Sequence, residues 1–253
     1  METIKSVQQA LRVLRHVYEH PQSTMSDIAR ANELSTSTAH RILATLEVAG
    51  FVSRDDDRGF TGVPVGQQRT IDDSIAHCVE VAQPHLRALG SVTAETVHIA
   101  TLRGSLVEFV AAVESTKLVR VSSRVGLQVP AGAAAAGKML LASLPQHEFD
   151  ALEPTVAEAL GSAAHPLQAS LQSVIAQTRS LGFARNINET EDGIYALAVP
   201  IRRPVGPVLC SLTITAPTTR MPPLSHSKMT PVERSWLEEL RRSARSIERA
   251  LLH

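Results

Sequence analysis

The sequence of 253 residues contains no long hydrophobic run. None of its apolar runs approaches the length of about 18 residues that a membrane-spanning helix needs. The N-terminus also has no apolar core of the kind that marks a secretion signal. Cysteine occurs only at Cys78 and Cys210, and no CxxC pair is present. We therefore expect an unexported, cytoplasmic protein that makes no contact with a membrane and has no disulfide framework, no metal site and no cofactor.

An excess of positive charge is also missing, because 25 Lys and Arg residues balance 25 Asp and Glu residues. Residues 1–62 contain seven basic and eight acidic side chains, which gives a net charge of −1. Non-specific DNA affinity comes from neutralising phosphates. A DNA-binding function in this part of the chain would therefore need local geometry and two or more copies of the protein.

A helix-turn-helix pattern occupies residues 25–50, MSDIARANELSTSTAHRILATLEVAG. Apolar residues at helical spacing form one short stripe from Met25 to Ala29 and another from Ala39 to Leu46. Ser35 and Thr36 are good N-caps for the second helix. The face opposite the second stripe is polar and is expected to face DNA through Ser35, Thr36, Ser37, Thr38, His40, Arg41 and Thr45.

Hydroxyl groups at a helix N-terminus suit contact with phosphates, because free amides and the positive end of the helix dipole lie there. Arg41 can contact a guanine edge or a phosphate.

Residues 51–62, FVSRDDDRGFTG, then predict a hairpin. A hairpin directly after a helix-turn-helix is typical of a winged helix. Arg54 and Arg58 would lie on the DNA backbone, with the three aspartates at 55–57 turned away. From spacing alone, an ordinary helical hairpin with a solvated polar face stays open as the alternative.

The runs KSVQQALRVLRHV and STAHRILATLEVAGFV resemble the winged-helix half of the IclR family of bacterial transcription regulators, and the resemblance continues through nearly the whole chain. It implies an α+β protein of two domains. A winged helix-turn-helix DNA-binding domain would span 1–63, a linker helix that joins the dimer contact 64–92, and a GAF-like α/β effector-binding domain 93–253. The helical pattern after residue 70 also fits the first helix of the second domain, with a kink or break at Pro84.

The local patterns predict further elements. The first helix should span 4–18, with Ile4, Val7, Ala10 or Leu11, Leu14, Val17 and Tyr18 as its buried stripe. Strands are expected at 95–104, 105–115, 118–126, 194–201 and 208–215, helices at 133–144 and 167–184, a join at 64–69, a polar stretch up to His165 and a turn at 203–206. Thr230 and Glu233 predict a capping box with Pro231 at the first position of the last helix.

Two further runs, VGLQVPAGAAAAGKMLLA and GFARNINETEDGIYALAVPI, resemble the stretches that enclose the family's effector pocket. The first would place backbone amides near Gly132 to Ala134 at a helix N-terminus, which is a site for a carboxylate. The resemblance implies eight effector-binding positions: Leu127, Gly132, Ala133, Ala134, Arg185, Glu189, Ala196 and Thr213.

This sequence departs from the family pattern at several of those positions. Gly132 stands where a His is common, Ala134 where a Thr or Ser is common, and Ala196 where a Cys is common. These changes imply a roomier, more apolar pocket, and a carboxylic acid with an apolar or aromatic body rather than a glyoxylate-like ligand. Arg185, where Asp is usual, could pair with the ligand or form a surface salt bridge.

Catalysis has little support in the sequence. Residues 132–138 fit GxxxxGK, but Met139 stands where a Ser or Thr hydroxyl must hold magnesium. No Ser/His/Asp grouping, paired-carboxylate motif or GxSxG elbow stands out, and His98 on a strand is expected to be a core or hydrogen-bonded histidine.

We therefore expect a ligand-responsive regulator without catalytic residues. It should be a homodimer or homotetramer that represses a catabolic operon by binding a double-stranded DNA operator. The open alternatives are an activator of the same family, a sensor whose helix-turn-helix binds protein, and a small-molecule enzyme such as an esterase.

Overall fold

The computed structural model describes residues 4–55, 59–63, 71–161, 170–203, 208–223 and 228–252. The chain divides into two compact units, Met1–Ser74 and Ile75–His253. Each unit has apolar core residues of its own. Within the described ranges, no helix is long and apolar enough to cross a membrane.

The first unit has the predicted winged helix-turn-helix fold. Its elements are α1 (Lys5–Glu19), α2 (Met25–Ala31), α3 (Thr36–Val48), β1 (Val52–Asp55) and β2 (Gly59–Gly62). The two strands form an antiparallel hairpin. Its core is one cluster of buried side chains: Val13, Val17, Ile28, Leu43, Leu46, Val52 and Phe60.

The buried stripe expected on α1 is largely wrong. At least half of the surface is exposed in Ile4 (68%), Val7 (50%) and Leu11 (59%). Val13, absent from the expected stripe, is fully buried together with Val17. The packed side of α1 is therefore centred on these two residues, one turn apart. The expected stripe followed the more numerous apolar residues, which continue onto a side of the helix that this unit leaves uncovered.

The second unit is an α/β domain built on one antiparallel sheet. Its elements are α4 (Ile71–Thr93, of which the residues from Ile75 belong to this unit), β3 (Thr96–Arg103), β4 (Leu106–Val113), β5 (Gln128–Pro130), α5 (Ala135–Ser143), α6 (Gln146–Gly161), α7 (Leu171–Leu181), β6 (Ala184–Ile187), β7 (Ile194–Ile201), β8 (Cys210–Pro217) and α8 (Pro231–Ala250). The strand order is β5-β4-β3-β8-β7-β6. The predicted capping box is present, since the Thr230 hydroxyl accepts from the Glu233 amide and the Glu233 carboxylate accepts from the Thr230 amide.

Alternation along the strands divides the core of the second unit between the two faces of the sheet. On β8, Leu212 and Ile214 pack with α4 and α8. On β7, Ala196 and Ala198 pack on the opposite face, with α5, α6 and α7. Small residues on that second face leave room for α5 to lie close to the sheet.

Several local predictions need correction. The segment 118–126 is not a strand, because Leu118 and Val119 are 94% and 63% exposed and the short strand β5 begins only at Gln128. The polar stretch before His165 contains α6, which buries Phe149 and Val156 and keeps Pro154 on its exposed side. The helix α4 likewise runs through an exposed Pro84 without a break.

The strand β6 was missed entirely, because four residues with a charged and an amide side chain carry no clear strand pattern. The predicted join at 64–69 and positions 204–206 of the predicted turn lie outside the described residues. So does Arg58, together with the side chains of the three aspartates at 55–57.

Candidate functional sites

Side-chain caps begin both helices of the helix-turn-helix, and a left-handed residue sets the turn between them. The Thr24 hydroxyl accepts a hydrogen bond from the Asp27 amide at 3.3 Å and caps α2. Glu33 adopts a left-handed conformation with φ 54°, and the Leu34 amide then donates to the Ala29 carbonyl. Ser35 is the N-cap of α3, and its hydroxyl accepts from the Thr38 amide at 3.2 Å.

The helix α3 packs one side and exposes the other, as the sequence predicts. Ala39 and Leu43 are fully buried and Leu46 is 9% exposed. Thr38 is half-buried, and the other six predicted DNA-facing residues are exposed: Ser35, Thr36, Ser37, His40, Arg41 and Thr45. The unit therefore presents a continuous polar helix face with an imidazole and a guanidinium at its middle.

Four hydroxyl groups of α3 and its N-cap already make local hydrogen bonds. Ser35 Oγ lies 3.1 Å from Ser37 Oγ and 2.8 Å from Thr38 Oγ1. Thr45 donates its hydroxyl proton to the Arg41 carbonyl at 2.8 Å. These contacts shape the helix N-terminus and leave His40 and Arg41 as the long side chains that extend from the surface.

The hairpin is fastened to the helices of the first unit. The Phe60 amide donates to the Ser23 carbonyl at 2.9 Å, and the Tyr18 hydroxyl donates to the Val63 carbonyl. Gly59 has φ +96°, and a Cβ there would lie 2.6 Å from the Ser23 carbonyl oxygen, so a glycine is required. Arg54 on β1 is exposed, and its guanidinium lies 5.6 Å from the centroid of the Phe60 ring. The hairpin thus holds a basic side chain at a defined place.

The second unit contains a small cavity between the N-terminus of α5 and the sheet. Its described lining is Phe109, Arg124, Ala134, Ala135, Ala136, Asn186, Thr190, Ile194, Ala196, Thr213 and Thr215, and its volume is about 20 Å³. A volume of this size holds about one water molecule. The expected roomier pocket is therefore wrong for this conformation, and a larger ligand requires the walls to move apart.

The first wall is the start of α5. Ala134 is the N-cap and provides no side-chain cap. Among the described residues, no hydrogen-bond acceptor faces the amides of Ala135 and Ala136. Gly137 follows with its α-carbon so close to Ala131 that a Cβ would lie 2.2 Å from the Ala131 carbonyl oxygen. The run of small residues thus forms a tightly packed helix start, and it is not a phosphate-binding loop.

The second wall is the strand β8 with its neighbour β3. Thr213 is 2% exposed, and its hydroxyl has no hydrogen-bond partner in the described part of the chain. Thr215 Oγ1 lies 3.4 Å from His98 Nδ1, while His98 Nε2 accepts the Arg124 amide at 3.3 Å. Burial, and secondarily the Arg124 charge, lowers the pKa of His98 to about 4. The ring is therefore neutral near pH 7, and its Nδ1 carries the proton.

The third wall is the end of β6 and the turn that follows it. Asn186 is 1% exposed, and its Nδ2 donates to the Ala133 carbonyl at 2.8 Å and to Thr190 Oγ1 at 3.1 Å. Its Oδ1 accepts from the Glu189 amide at 3.2 Å. The Asn186 side chain therefore joins the β6–β7 turn to the residues just before α5.

Of the eight predicted effector-binding residues, the structure places Ala134, Ala196 and Thr213 in the cavity lining. Gly132 precedes α5 and does not line the cavity. A Cβ on Gly132 would lie 2.6 Å from Leu160 Cδ1, so neighbouring leucines already fill the space that a side chain would take. Ala133 is buried and contributes its carbonyl to Asn186 instead of lining the cavity.

The other three predicted residues have different roles. Leu127 is 53% exposed outside the cavity. Arg185 lies on the opposite face of the sheet and pairs with the buried Glu233 at 3.2 Å. Glu189 pairs with the buried Lys138 at 2.6 Å, and burial is the main reason why the pKa of that lysine is lowered.

Sequence reasoning missed most of the polar lining. Thr215 is a candidate by the same alternation that places Thr213 inward, since the two residues stand on the same face of β8. Asn186 and Thr190 lie at the end of the unrecognised strand β6 and in the turn after it. Arg124 lies in an irregular segment, and no local pattern marks it.

The described residues offer no cluster of side chains that could bind a metal ion. No group of three or more His, Cys, Asp or Glu side chains is placed to hold a metal ion there. His16 and His20 stand one turn apart on α1 with ring centroids 4.8 Å apart, but His16 Nε2 lies 3.3 Å from the Ser23 hydroxyl.

A winged helix with an exposed recognition helix, followed by an α/β domain that contains a polar-lined cavity, defines the class of ligand-responsive DNA-binding transcriptional regulators. Residues 6–56 match the IclR helix-turn-helix domain, and residues 74–249 match the bacterial transcriptional regulator IclR C-terminal domain. The chain belongs to the IclR family of bacterial transcriptional regulators, and it is a regulator rather than an enzyme.

Individual relatives are similar over most of their length. The HTH-type transcriptional regulator XynR of Escherichia coli K12 is 28% identical over 225 residues, which cover 87% of this chain and 89% of XynR. The HTH-type transcriptional repressor AllR of Klebsiella pneumoniae is 28% identical over 205 residues, 79% of this chain and 75% of AllR. A solved IclR homologue from Microbacterium hydrocarbonoxydans, complexed with 4-hydroxybenzoate, superposes with a TM-score of 0.57 at 24% identity, over 98% of this chain and 99% of its own.

Proposed function

We propose that the chain represses a catabolic operon by binding a double-stranded DNA operator, and that a small carboxylic acid controls this binding. The observation that carries the DNA-binding half is the exposed polar face of α3. Arg41 and His40 extend from it beside the hairpin that holds Arg54. The sign of regulation is supported by the similarity to AllR, which is a repressor.

The proposed DNA contacts are those of a winged helix. The side chains of α3 would enter the major groove, with Arg41 on a base edge or a phosphate. Ser35, Thr36, Ser37, Thr38, His40 and Thr45 would form the rest of this surface. Arg54 would contact the backbone from the hairpin. Because the net charge of residues 1–62 is −1, one copy would bind weakly, and a homodimer or homotetramer is needed.

The ligand half of the proposal rests on the cavity beside α5. Free amides at a helix N-terminus and the unpaired Thr213 hydroxyl suit a carboxylate. Phe109, Ile194 and the alanines suit an apolar or aromatic body. The 4-hydroxybenzoate complex of the Microbacterium homologue supports a ligand of this type. Since the cavity is small here, the bound state must differ from this one.

The experiment is footprinting of the purified protein on the DNA upstream of its own gene, followed by a gel-shift assay with the protected fragment. We expect protection of an inverted repeat, and Arg41→Ala should weaken specific binding by at least about tenfold. Arg15→Ala is the matched control, because Arg15 on α1 is also exposed and forms a long, exposed pair with Glu19 at 4.0 Å. Specific binding retained by Arg41→Ala, or equal losses in both variants, would remove Arg41 from the DNA contact.

A further inference from the structure

The polar groups of the cavity are oriented to donate hydrogen bonds. Thr215 Oγ1 accepts a hydrogen bond from His98 Nδ1, because His98 Nε2 is occupied as the acceptor of a backbone amide. Thr190 Oγ1 accepts a hydrogen bond from Asn186 Nδ2. Both hydroxyl groups accept from the protein and can therefore direct their own protons into the cavity. The Thr213 hydroxyl has no hydrogen-bond partner among the described residues.

Arg124 is the one charged residue among the eleven described lining residues, and no carboxylate lies among them. Its side chain is only 16% exposed. Its main chain is anchored twice, by its amide on His98 Nε2 at 3.3 Å and by its carbonyl, which accepts from the Leu127 amide at 2.9 Å. A cation is therefore held in place at the cavity while no anion faces it from the lining.

The guanidinium of Arg124 has one partner outside the cavity. Its Nη2 donates to Glu191 Oε2, and the Glu191 side chain is 61% exposed. In the described part of the chain, no acceptor lies within bonding distance of Arg124 Nε or Nη1. Glu191 belongs to the β6–β7 turn, the same turn that carries Thr190. The ion pair thus joins this turn to the segment before β5.

We propose that Arg124 recognises the charge of the ligand, and that Glu191 competes with the ligand anion for the same guanidinium. The inference rests on the proposed ligand function of this cavity. Binding of a carboxylate would take Arg124 from Glu191 and separate the β6–β7 turn from the segment before β5. Loss of this ion pair removes one of the contacts that hold the turn, and the Glu189–Lys138 pair and the Asn186 hydrogen bonds then limit how far the turn moves to make space for the ligand.

The exchange is favourable because the two competing pairs lie in different surroundings. Water screens the Arg124–Glu191 pair on the Glu191 side, where the side chain is 61% exposed, and this weakens the pair. A carboxylate inside the cavity interacts with the same cation at lower dielectric and also accepts the hydrogen bond that Thr213 cannot make at present. An amine ligand is disfavoured, because it would meet a cation and groups that already accept.

The experiment uses the full chain and two pairs of probes, benzoate with benzamide and acetate with acetamide. Each amide keeps the shape of its acid and lacks the charge. Binding is followed by the rise of the melting temperature with probe concentration, from which dissociation constants are obtained. The variants are Glu191→Gln and Arg124→Gln. The control is Glu158→Gln, which removes an exposed carboxylate from α6.

Glu191→Gln should bind the carboxylates about two- to fivefold more tightly, because the competing charge is gone. Arg124→Gln should bind them at least about tenfold more weakly. Neither change should alter amide binding, and Glu158→Gln should behave as the wild type. The Glu191 variant changes only an exposed side chain, so its test does not depend on a substitution in the cavity wall.

Unchanged or weaker carboxylate binding by Glu191→Gln would show that Glu191 does not compete with the ligand for Arg124. Carboxylate binding by Arg124→Gln equal to that of the wild type would overturn the role of Arg124 and leave the proposed ligand site in place. A wild-type protein that responds to neither carboxylate would overturn the ligand site and this inference together.

Discussion

Thr213 shows how a single residue can be suited to a ligand at a cost to the free protein. A buried hydroxyl without a partner destabilises the folded state by about 1–3 kcal/mol relative to one that is hydrogen-bonded. The strand β8 positions this hydroxyl at the cavity beside α5. A ligand oxygen would supply the missing acceptor or donor.

We therefore expect Thr213→Val to raise the free energy of unfolding by about 1 kcal/mol and to weaken benzoate binding, since valine keeps the shape without the hydroxyl. Chemical denaturation and the thermal titration measure the two effects. Thr101→Val is the matched control, because the buried Thr101 hydroxyl donates to the Leu209 carbonyl at 2.8 Å and its loss should destabilise the fold. A loss of stability in Thr213→Val would show that this hydroxyl has a partner in solution.

His98 gives the second prediction at the residue scale, which concerns pH. Its pKa is lowered to about 4 in the folded protein, against an ordinary value of 6.5. The unfolded chain therefore binds the proton first as the pH falls. The contribution of His98 to stability is complete above pH 6.5 and decreases from there to about pH 4, by up to about 1.4 kcal/mol per pH unit.

The measurement is urea denaturation of the wild type and of His98→Asn between pH 7.5 and 5. His16 also has a lowered pKa, so the difference between the two proteins isolates the effect of His98. The wild type should lose more stability than the variant over this range. Parallel pH profiles would show that His98 is protonated or exposed in the folded state.

At the scale of the element, α5 depends on a close contact between Gly137 and the backbone of Ala131. The helix is buried along nearly its whole length and starts directly after the turn at Ala131. A glycine within a helix normally costs stability relative to alanine. Here the gap between Gly137 and the Ala131 backbone leaves no space for a methyl group.

Gly137→Ala should therefore lower the free energy of unfolding by at least about 1–3 kcal/mol, despite the better helix propensity of alanine. Gly161→Ala is the control, because Gly161 ends α6 and nothing lies within 4 Å of a Cβ added there. The melting temperature of Gly137→Ala should fall, and that of Gly161→Ala should rise or stay unchanged. A neutral Gly137→Ala would mean that α5 can shift along its axis.

At the scale of the whole molecule, the distribution of charge is the reason for proposing that more than one copy binds the operator. A recognition surface with a net charge of −1 over residues 1–62 gains little affinity from phosphates alone. Two linked copies convert the second contact into an intramolecular one, which raises the apparent affinity by about 100-fold or more.

We expect sedimentation analysis to show a dimer or tetramer, and an operator fragment with one half-site removed to bind at least about 100-fold more weakly than the intact fragment. A fragment of equal length with a scrambled spacer outside both half-sites serves as the control. A monomer in solution that binds one half-site as well as the complete operator would contradict the oligomeric proposal.

The sequence by itself determined the elements whose residues follow a strong local period. The polar face of α3, its Ser35 cap and the capping box of α8 depend on neighbours three or four residues away, so their patterns are complete within one or two turns. The runs similar to the family indicated the fold of both units. The alternation of β8 placed Thr213 inward for the same local reason.

Only the tertiary structure decided which side of α1 is packed and what fills the place of Gly132. Those outcomes depend on side chains far away in the sequence, such as Leu160 beside Gly132. It also separated Arg185 from the cavity, because β6 turns that residue toward Glu233 on the other face of the sheet. Arg124 reaches the cavity from a segment without any periodic pattern, since its position follows from a hydrogen bond between its amide and His98 on a distant strand.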